Sequence, residues 1–226
     1  MSATAKQPRR LPIHALAAGR LPRDVVACAT VIGGAGACWA AALGDADLGR
    51  LSGYGLLTAL PPIYFVGLGL LACGFAVAAS QERVRPGVLA AHVVALVTML
   101  HATTAILYPE PRYTWTYKHL GVIDYITTHG DVHRWIDIYQ NWPMFFALNA
   151  WLSRTAGISP LAFAPWAQLF FELANVAVVV FAVAGLTRDV RLRWTAAWLF
   201  VVANWIGQDY LAPQAFAFTL AVALVG

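Results

Sequence analysis

Residues 135–152 read WIDIYQNWPMFFALNAWL, and this stretch decides how often the chain can cross a membrane. Its apolar part runs from Trp142 to Leu152, behind a polar and aromatic turn, and stops at Ser153. A helix needs about 20 apolar residues to span a bilayer, so this eleven-residue run is too short to cross alone. Its place in the fold depends on the apolar runs before and after it.

The composition is that of a membrane protein. Hydrophobic residues make up 60% of the 226 residues and charged residues only 12%, whereas soluble domains average about 25% charged residues. Several apolar runs reach the length of a membrane span. We predict an all-α fold, a polytopic transmembrane helical bundle with about six spans and an outer-face loop that carries short amphipathic helices.

Basic residues cluster next to the apolar runs. Because positively charged loops stay in the cytoplasm, these clusters predict cytoplasmic span ends and a cytoplasmic N-terminus in a multi-pass plasma-membrane protein. Their position beside spans also argues against a nucleic-acid-binding surface. The clusters are Lys6, Arg9, Arg10, Arg20 and Arg23, then Arg83 and Arg85, then Arg188, Arg191 and Arg193.

Four segments follow from this pattern: a basic cytoplasmic tail, three spans, an outer loop, and further spans after the loop. The last apolar run continues to Gly226, so we expect the sequence to stop within a span. The segments are 1–22, 23–108, 109–159 and 160–226, with individual spans at about 24–44, 55–79, 88–108, 160–186 and 194–207.

The number of crossings places the quoted stretch. After three spans the chain is outside, and the next basic cluster, TRDVRLR at 187–193, is inside. One crossing, at 160–186, makes this connection. A further crossing at 142–152 would leave the cluster on the wrong side. We therefore expect 142–152 to lie along the outer interface or to dip into it.

The outer loop contains a predicted amphipathic helix at 118–129, KHLGVIDYITTH. We expect its apolar side to lie on the membrane and Asp124 to face solvent or a cleft. Gly130 suits the position after a helix end, and Asp131 can cap a second short helix. The apolar side comprises Leu120, Val122, Ile123 and Ile126, and the tryptophans expected at the interface are Trp135, Trp142 and Trp151.

The outer loop also contains an ordered set of acids, a histidine, glycines and a proline: Glu110, His119, Gly121, Asp137, Pro143 and Gly157. This order resembles the GT-C glycosyltransferases, membrane enzymes that take sugars from polyprenyl-phosphate donors. The family's acidic pair is a single acid, Glu110, in this sequence. The stretches YPEPRYTWTYKHLGVIDYI and DIYQNWP are also similar to multi-span actinobacterial proteins described as glycosyltransferases.

The resemblance implies an enzyme of the bacterial plasma membrane with its active site at the outer face. Its donor would be a polyprenyl-phosphate-linked sugar held in the membrane lipid, and its acceptor a glycan, a lipid or a protein. The segment 142–152 would then shape the access of the lipid donor to the site.

Sugar transfer to a hydroxyl needs a base and a cationic site for phosphate. A carboxylate takes the acceptor proton, because a sugar hydroxyl is a poor nucleophile, and positive charge holds the leaving phosphate. The candidate bases are Asp137, Asp124 and Glu110, and the phosphate candidates are Arg112 and Lys118. Further candidates for substrate binding are His119, Tyr139, Asn141, Glu172, Gln208 and Asp209.

Glu172 supports an alternative function. It lies near the middle of a predicted span, and Gln168 and Asn175 share its face. An acid at this depth either lines a polar cavity or bonds to a neighbouring helix, for example to His92 or His101 of the preceding span. A transporter or a lipid flippase subunit would depend on Glu172.

Two other possibilities concern the outer loop. A structural subunit would use the aromatic loop to dock a partner. His129, His133 and Asp137 have the i, i+4, i+8 spacing of a metal-binding helix face, although Gly130 and Asp131 favour a helix break there. A divalent cation is thus the one cofactor that stays open, without an assigned set of ligands.

Overall fold

The structure is a computed structural model that describes residues 22–108, 110–204 and 209–225. These residues form helices and turns with no strand among them, which confirms the predicted all-α class. Gln208 and all of the predicted tail except Pro22 lie outside the described residues. The helices are α1 (Arg23–Gly44), α2 (Pro62–Ser80), α3 (Pro86–Leu107), α4 (Thr114–His129), α5 (Met144–Ala156), α6 (Pro160–Phe163), α7 (Ala167–Leu186), α8 (Val190–Ala203) and α9 (Pro213–Val225).

Four helical segments are long and apolar enough to cross a membrane, which indicates a membrane protein. Three of them are α1, α2 and α3, and the fourth joins α6 to α7 through a 3-10 turn at 164–166. Helices α8 and α9 have 14 and 13 residues, and at 1.5 Å per residue each is only about 20 Å long. Because the hydrocarbon core is about 30 Å thick, the prediction of about six spans is not confirmed.

Proline is the first residue of three of the four candidate spans, at Pro62, Pro86 and Pro160. Helix α2 begins at Pro62 and not at residue 55, because Gly55 has a φ of 63° and residues 56–58 form a separate 3-10 turn. Proline suits the first helical turn, where the N–H that it lacks would have no helical partner. Helix α3 begins in the same way at Pro86.

Helix α3 is the centre of the bundle, with α1 and α2 on one side and α7 and α8 on the other. The ring of Phe75 stacks on Trp198 at 4.4 Å between centroids, and this contact links α2 to α8. Helices α1 and α2 approach closely at Gly67, where a Cβ atom would lie 3.1 Å from the carbonyl oxygen of Ala35. Small residues allow such close helix packing in membranes.

The basic clusters of the described residues meet at one end of the bundle, here called the basic end. Arg85 forms an ion pair with Asp24 at the start of α1. The Nη2 atom of Arg191, in α8, donates to the carbonyl oxygen of Gln81 over 2.9 Å. The start of α1, the α2–α3 turn and the α7–α8 turn therefore share this end.

The segment between α3 and α7 begins and ends at the opposite end of the bundle, here called the loop end. Helix α3 runs from the basic end to the loop end, and α7 runs back. The connection holds α4 and the 13-residue α5, and neither of them is a candidate span. This arrangement agrees with the expectation that 142–152 does not cross the membrane.

Helix α4 packs on protein, which corrects the expectation that its apolar side lies on the membrane. Val122 and Ile123 are buried in a cluster with Phe145 and Phe146 of α5 and with Phe171 of α7. Helix α5 and the start of α7 offer enough apolar surface to cover α4. Asp124 is exposed, as expected. Helix α4 also begins at Thr114, four residues before the predicted start.

The end of α4 was predicted correctly, but the next element was not. Gly130 has a left-handed backbone with a φ of 71° and ends the helix, which confirms its predicted position. Asp131 caps no second helix, because its Oδ1 atom accepts from the adjacent N–H of Val132 in a turn. Asp137 instead caps the 3-10 turn Ile138–Asn141.

Candidate functional site

The candidate site lies at the loop end, where the start of α4 meets the segment that precedes α9. Its centre is His119, which is fully buried. The Nδ1 atom of His119 lies 2.8 Å from the carbonyl oxygen of Leu211. The ring packs against Tyr139 at 5.1 Å, Phe146 at 5.7 Å and Tyr210 at 5.9 Å between centroids. Three segments distant in sequence are therefore assembled around one imidazole.

The contact with Leu211 determines the proton position on His119. A carbonyl oxygen can only accept, so Nδ1 carries the hydrogen and Nε2 keeps a lone pair. Burial lowers the pKa of His119, which favours the neutral ring. Nε2 is buried and has no hydrogen-bond partner within the described part of the chain. His119, predicted to bind substrate, is first of all the packing centre of the site.

Lys118 and Asp137 form an ion pair on the solvent side of His119. The Nζ atom of Lys118 lies 2.8 Å from Oδ2 of Asp137, while Oδ1 of Asp137 accepts the N–H of Tyr139 over 3.0 Å. Lys118 Nζ also lies 5.0 Å from the centroid of the Tyr139 ring. Lys118 holds the pKa of Asp137 below its usual value, and Asp137 raises the pKa of Lys118. Both groups are charged at neutral pH.

A narrow cavity separates the start of α4 from the start of α7. Glu110 and Arg112 line it together with Thr116, Gln168 and Tyr210. Its volume is about 20 Å³, which accommodates one water molecule but not a sugar. The hydroxyl of Tyr117 donates to Oε2 of Glu110 over 2.9 Å, and this bond raises the pKa of Tyr117.

Asp209 lies at the loop end, beside α3 and the start of α7. Its Oδ2 atom accepts from Nε2 of Gln168, on α7. The same oxygen lies 3.6 Å from Nδ1 of His101, on α3. Asp209 is buried, and its Oδ1 atom has no hydrogen-bond partner among the residues that the structure describes.

The polar face of α7 is occupied by the end of α8 and by α9. Oε1 of Glu172 accepts from Nδ2 of Asn204 over 2.6 Å, and Oδ1 of Asn175 accepts from the hydroxyl of Thr219 over 2.7 Å. One of the two interpretations of this face, hydrogen bonding to a neighbouring helix, therefore holds for Glu172, but the partner is Asn204 and neither His92 nor His101 of α3. Helix α8 ends at Ala203, and the chain that follows supplies polar groups directly beside α7.

The structure leaves two predicted site residues apart from the others. Asp124 lies five residues after His119 on α4, which places it roughly 140° around the helix from the buried histidine. Asn141 is exposed at the end of the 138–141 turn. Among the described residues, neither of these two lines the cavity or bonds to Lys118 or Asp137 through its side chain. Gln208 lies outside the described residues.

Sequence reasoning missed two tyrosines and a threonine. The Tyr113 ring packs against Tyr210 in a tilted arrangement, with 4.8 Å between centroids. Thr116 is buried, with no partner for its hydroxyl in the described chain. Thr116 and His119 are three residues apart, so they share one face of α4, and Tyr113 immediately precedes the helix. Polar side chains repeated on a face that turns inward are the signal that would have found them.

The metal-binding face does not form. Gly130 interrupts the helix between His129 and His133, and His129 bonds to the carbonyl oxygen of Tyr125 in its own helix over 2.9 Å. Asp137 is paired with Lys118. Across residues 22–108, 110–204 and 209–225, no three metal-ligand side chains come together, so a divalent cation has no assigned ligands there.

Comparisons with protein-family models, with curated proteins and with solved structures gave no match. The resemblance to GT-C enzymes therefore rests on the outer-loop motifs alone. What the structure adds is the spatial grouping of the residues in those motifs.

Proposed function

We propose that the chain is an integral membrane glycosyltransferase that moves a sugar from a polyprenyl-phosphate donor to an acceptor at the outer face of the membrane. The ion pair between Lys118 and Asp137 carries the proposal. It places a cation suited to phosphate 2.8 Å from a carboxylate suited to a hydroxyl proton, on the accessible side of α4. The Lys118 side chain is 42% exposed, so a ligand can reach it.

In the proposed reaction Lys118 and Asp137 have different roles. The acceptor oxygen bonds to the anomeric carbon of the sugar, and the bond from that carbon to the phosphate oxygen breaks. Polyprenyl phosphate leaves with the bonding electrons, and Lys118 neutralises its negative charge. Asp137 takes the proton of the acceptor hydroxyl.

The ion pair links donor binding to the strength of the base. Lys118 lowers the pKa of Asp137, so the paired carboxylate is a weak proton acceptor. A donor phosphate that draws Lys118 away removes this effect, and the pKa of Asp137 rises toward its usual value. The base becomes stronger only when the donor is bound.

A groove between α4 and α5 supports a lipid donor. It has a volume of about 470 Å³ and is lined by Ile126, Ala147, Ala150 and Trp151, with Arg154 at its edge. The groove also has a polar part formed by Arg154 and Thr155, so an isoprenoid chain would lie along the apolar residues only. The exposed Trp151 suits the depth of the membrane interface.

The test is sugar transfer in membranes that carry the protein, with a panel of polyprenyl-phosphate-linked hexoses and pentoses. We expect Asp137→Asn and Lys118→Gln to lower transfer at least a hundredfold. Asp124→Asn is the matched control, because it removes the same charge from the same segment but away from the ion pair. Equal transfer by Asp137→Asn and Asp124→Asn would contradict the assignment of the base.

Glu172 favours a second candidate function, a transporter or a lipid flippase subunit. It is 1% exposed in a candidate span, and its Oε2 atom has no partner in the described ranges. An ionisable acid inside a candidate span is typical of an ion or substrate path. A solute or lipid flux that Glu172→Gln abolishes, in membranes without any sugar transfer, would favour this function.

The structural-subunit alternative depends on the exposed tryptophans. Trp135 is 92% exposed and Trp142 is 77% exposed. If the outer loop only docks a partner protein, alanine at these two positions will disrupt the complex of the chain with that partner. Asp137→Asn and Glu172→Gln will leave the same complex intact.

A further inference from the structure

We infer that the basic end of the bundle binds an anionic membrane phospholipid in a groove between α1, α2 and α3. The groove has a volume of about 650 Å³, within the range of about 300–1,000 Å³ that is usual for small-molecule sites. Its walls are apolar and include Ala27, Val31, Leu70, Val77 and Val88. It lies at the end opposite to the proposed active site and does not depend on that proposal.

The mouth of the groove is positively charged. Arg23, Arg83 and Arg85 line it together with a single acid, Asp24, which leaves a net charge of +2. Arg85 is paired with Asp24, whereas Arg23 and Arg83 form no ion pair with any described residue. Arginine binds phosphate oxygens through two parallel hydrogen bonds. A phosphate at the mouth would supply the missing counter-charge.

The groove opens toward the bilayer. In the most apolar stretch of α1 only 11% of the residues are buried in the protein, and in that of α2 only 22% are. The corresponding fraction for α3 is 56%. Val77, which lines the groove, is 59% exposed. A lipid can thus enter from the side, with its acyl chain along the walls and its headgroup at the arginines, where basic pockets between spans bind anionic headgroups.

His92 provides a polar group deeper in the groove. It is 1% exposed, and its Nδ1 atom lies 2.9 Å from the carbonyl oxygen of Val88, so Nδ1 carries the hydrogen. Nε2 keeps its lone pair and has no hydrogen-bond partner in the described chain. Gly74 makes room for this ring, since a Cβ atom there would lie 2.6 Å from Nε2. A hydroxyl of the headgroup or a water beneath it would satisfy this acceptor.

Charge argues against two other occupants. Residues 1–22 contain four basic residues and no acid, so they would be repelled by the positive mouth. A second copy that packs the same face symmetrically would bring the two sets of arginines together. An anionic lipid removes the repulsion that either protein occupant would create.

The first experiment measures lipid binding to the purified full chain by native mass spectrometry. The probes are phosphatidylglycerol, phosphatidylcholine with matched acyl chains, and inorganic phosphate. We expect Arg23→Gln/Arg83→Gln to weaken phosphatidylglycerol binding about tenfold or more. Arg188→Gln is the control, because it removes a positive charge from an exposed position at the same end but outside the groove.

Three results would overturn the inference. Equal binding of phosphatidylcholine would show that the charge is not recognised, and equal binding of phosphatidylglycerol by the double variant would show that these arginines are not the site. Competition by inorganic phosphate at the same concentration as the lipid would show an ion site without a role for the acyl chain.

The second experiment uses the unsubstituted protein, so it is independent of whether the variants fold. Cys73 lines the groove and its side chain is exposed. We expect phosphatidylglycerol to slow alkylation of Cys73 at least threefold, with peptide-resolved mass spectrometry separating it from Cys28 and Cys38. An alkylation rate that phosphatidylglycerol leaves unchanged would contradict occupancy of the groove.

Discussion

His119 and Leu211 are joined by a hydrogen bond from Nδ1 to the carbonyl oxygen over 2.8 Å, although they lie 92 residues apart in the chain. The bond attaches the start of α4 to the segment before α9. The grouping of Glu110, Arg112 and Tyr210 around one cavity depends on this attachment.

Replacing His119 with phenylalanine tests the attachment. The ring would still fill its place between Tyr139 and Phe146, but the buried carbonyl of Leu211 would lose its donor. An unsatisfied buried acceptor costs about 1–3 kcal/mol, and we expect a loss of stability of that size in thermal unfolding in detergent. His129→Phe is the control, since His129 is exposed and bonds only within its own helix. A similar loss in both variants would argue against the attachment.

The ion pair of Lys118 and Asp137 predicts a dependence of stability on pH. The pKa of Asp137 is lowered in the folded chain. The stability that Asp137 contributes is therefore fully present at pH values above its pKa in the unfolded chain, about 3.9. This stability is lost as the pH falls through the pKa of Asp137 in the folded chain. Lys118 has a raised pKa, so its contribution is lost only as the pH rises beyond about 10.4.

We expect wild type to lose more stability than Lys118→Met when the pH falls from about 5 to about 2. The methionine keeps most of the side-chain length and removes the charge that lowers the pKa of Asp137. Thermal unfolding of both proteins across this range provides the measurement. Parallel curves for the two proteins would mean that the pair does not contribute to stability.

The bond between Glu172 and Asn204 predicts an energetic coupling. Glu172→Leu leaves the amide of Asn204 without its acceptor, and Asn204→Leu leaves the buried carboxylate without its donor. The double variant leaves neither group unpaired, so we expect it to be less destabilised than the sum of the single variants by about 1 kcal/mol. The free energy of unfolding in a detergent titration measures this difference. If the destabilisations of the two single variants simply add in the double variant, the contact is contradicted. Glu172→Gln keeps an acceptor oxygen, so it should lower the free energy of unfolding less than Glu172→Leu does.

Two glycines of α2 predict opposite tolerance to a larger side chain. At Gly67 a Cβ atom would lie 3.1 Å from the carbonyl oxygen of Ala35, and at Gly69 it would meet no atom within 4 Å. Gly67→Val should therefore separate α1 from α2 and lower stability by several kcal/mol, on the order of 3. Gly69→Val has the same helix propensity change and should be nearly neutral. The difference in unfolding free energy between the two variants tests the packing of α1 on α2.

The start of α4 shows why part of the site escaped prediction. The apolar pattern begins at Leu120, so the sequence predicted a helix from 118. Thr116 and His119 occupy inward-facing positions of the preceding turn, and both are polar. A pattern of hydrophobicity cannot mark a turn whose buried residues are polar. The same cause hid Tyr113, which packs on Tyr210.

The prediction that the apolar side of α4 lies on the membrane was wrong for a related reason. Periodicity shows that Val122 and Ile123 share a face, but it does not show what covers that face. The cover is Phe145, Phe146 and Phe171, from two helices that follow later in the chain. Whether an apolar face meets lipid or protein depends on the position of those helices.

The sequence by itself determined the all-α class, the four long apolar segments and the helix end at Gly130. These features are local, because each depends on the transfer energy of one run or on the backbone preference of one residue. The tertiary structure decided the pairs Lys118–Asp137, Gln168–Asp209 and Glu172–Asn204. Each of these polar groups could bond to several partners, and only the packing of α4, α7 and the chain after α8 brings one of them within reach.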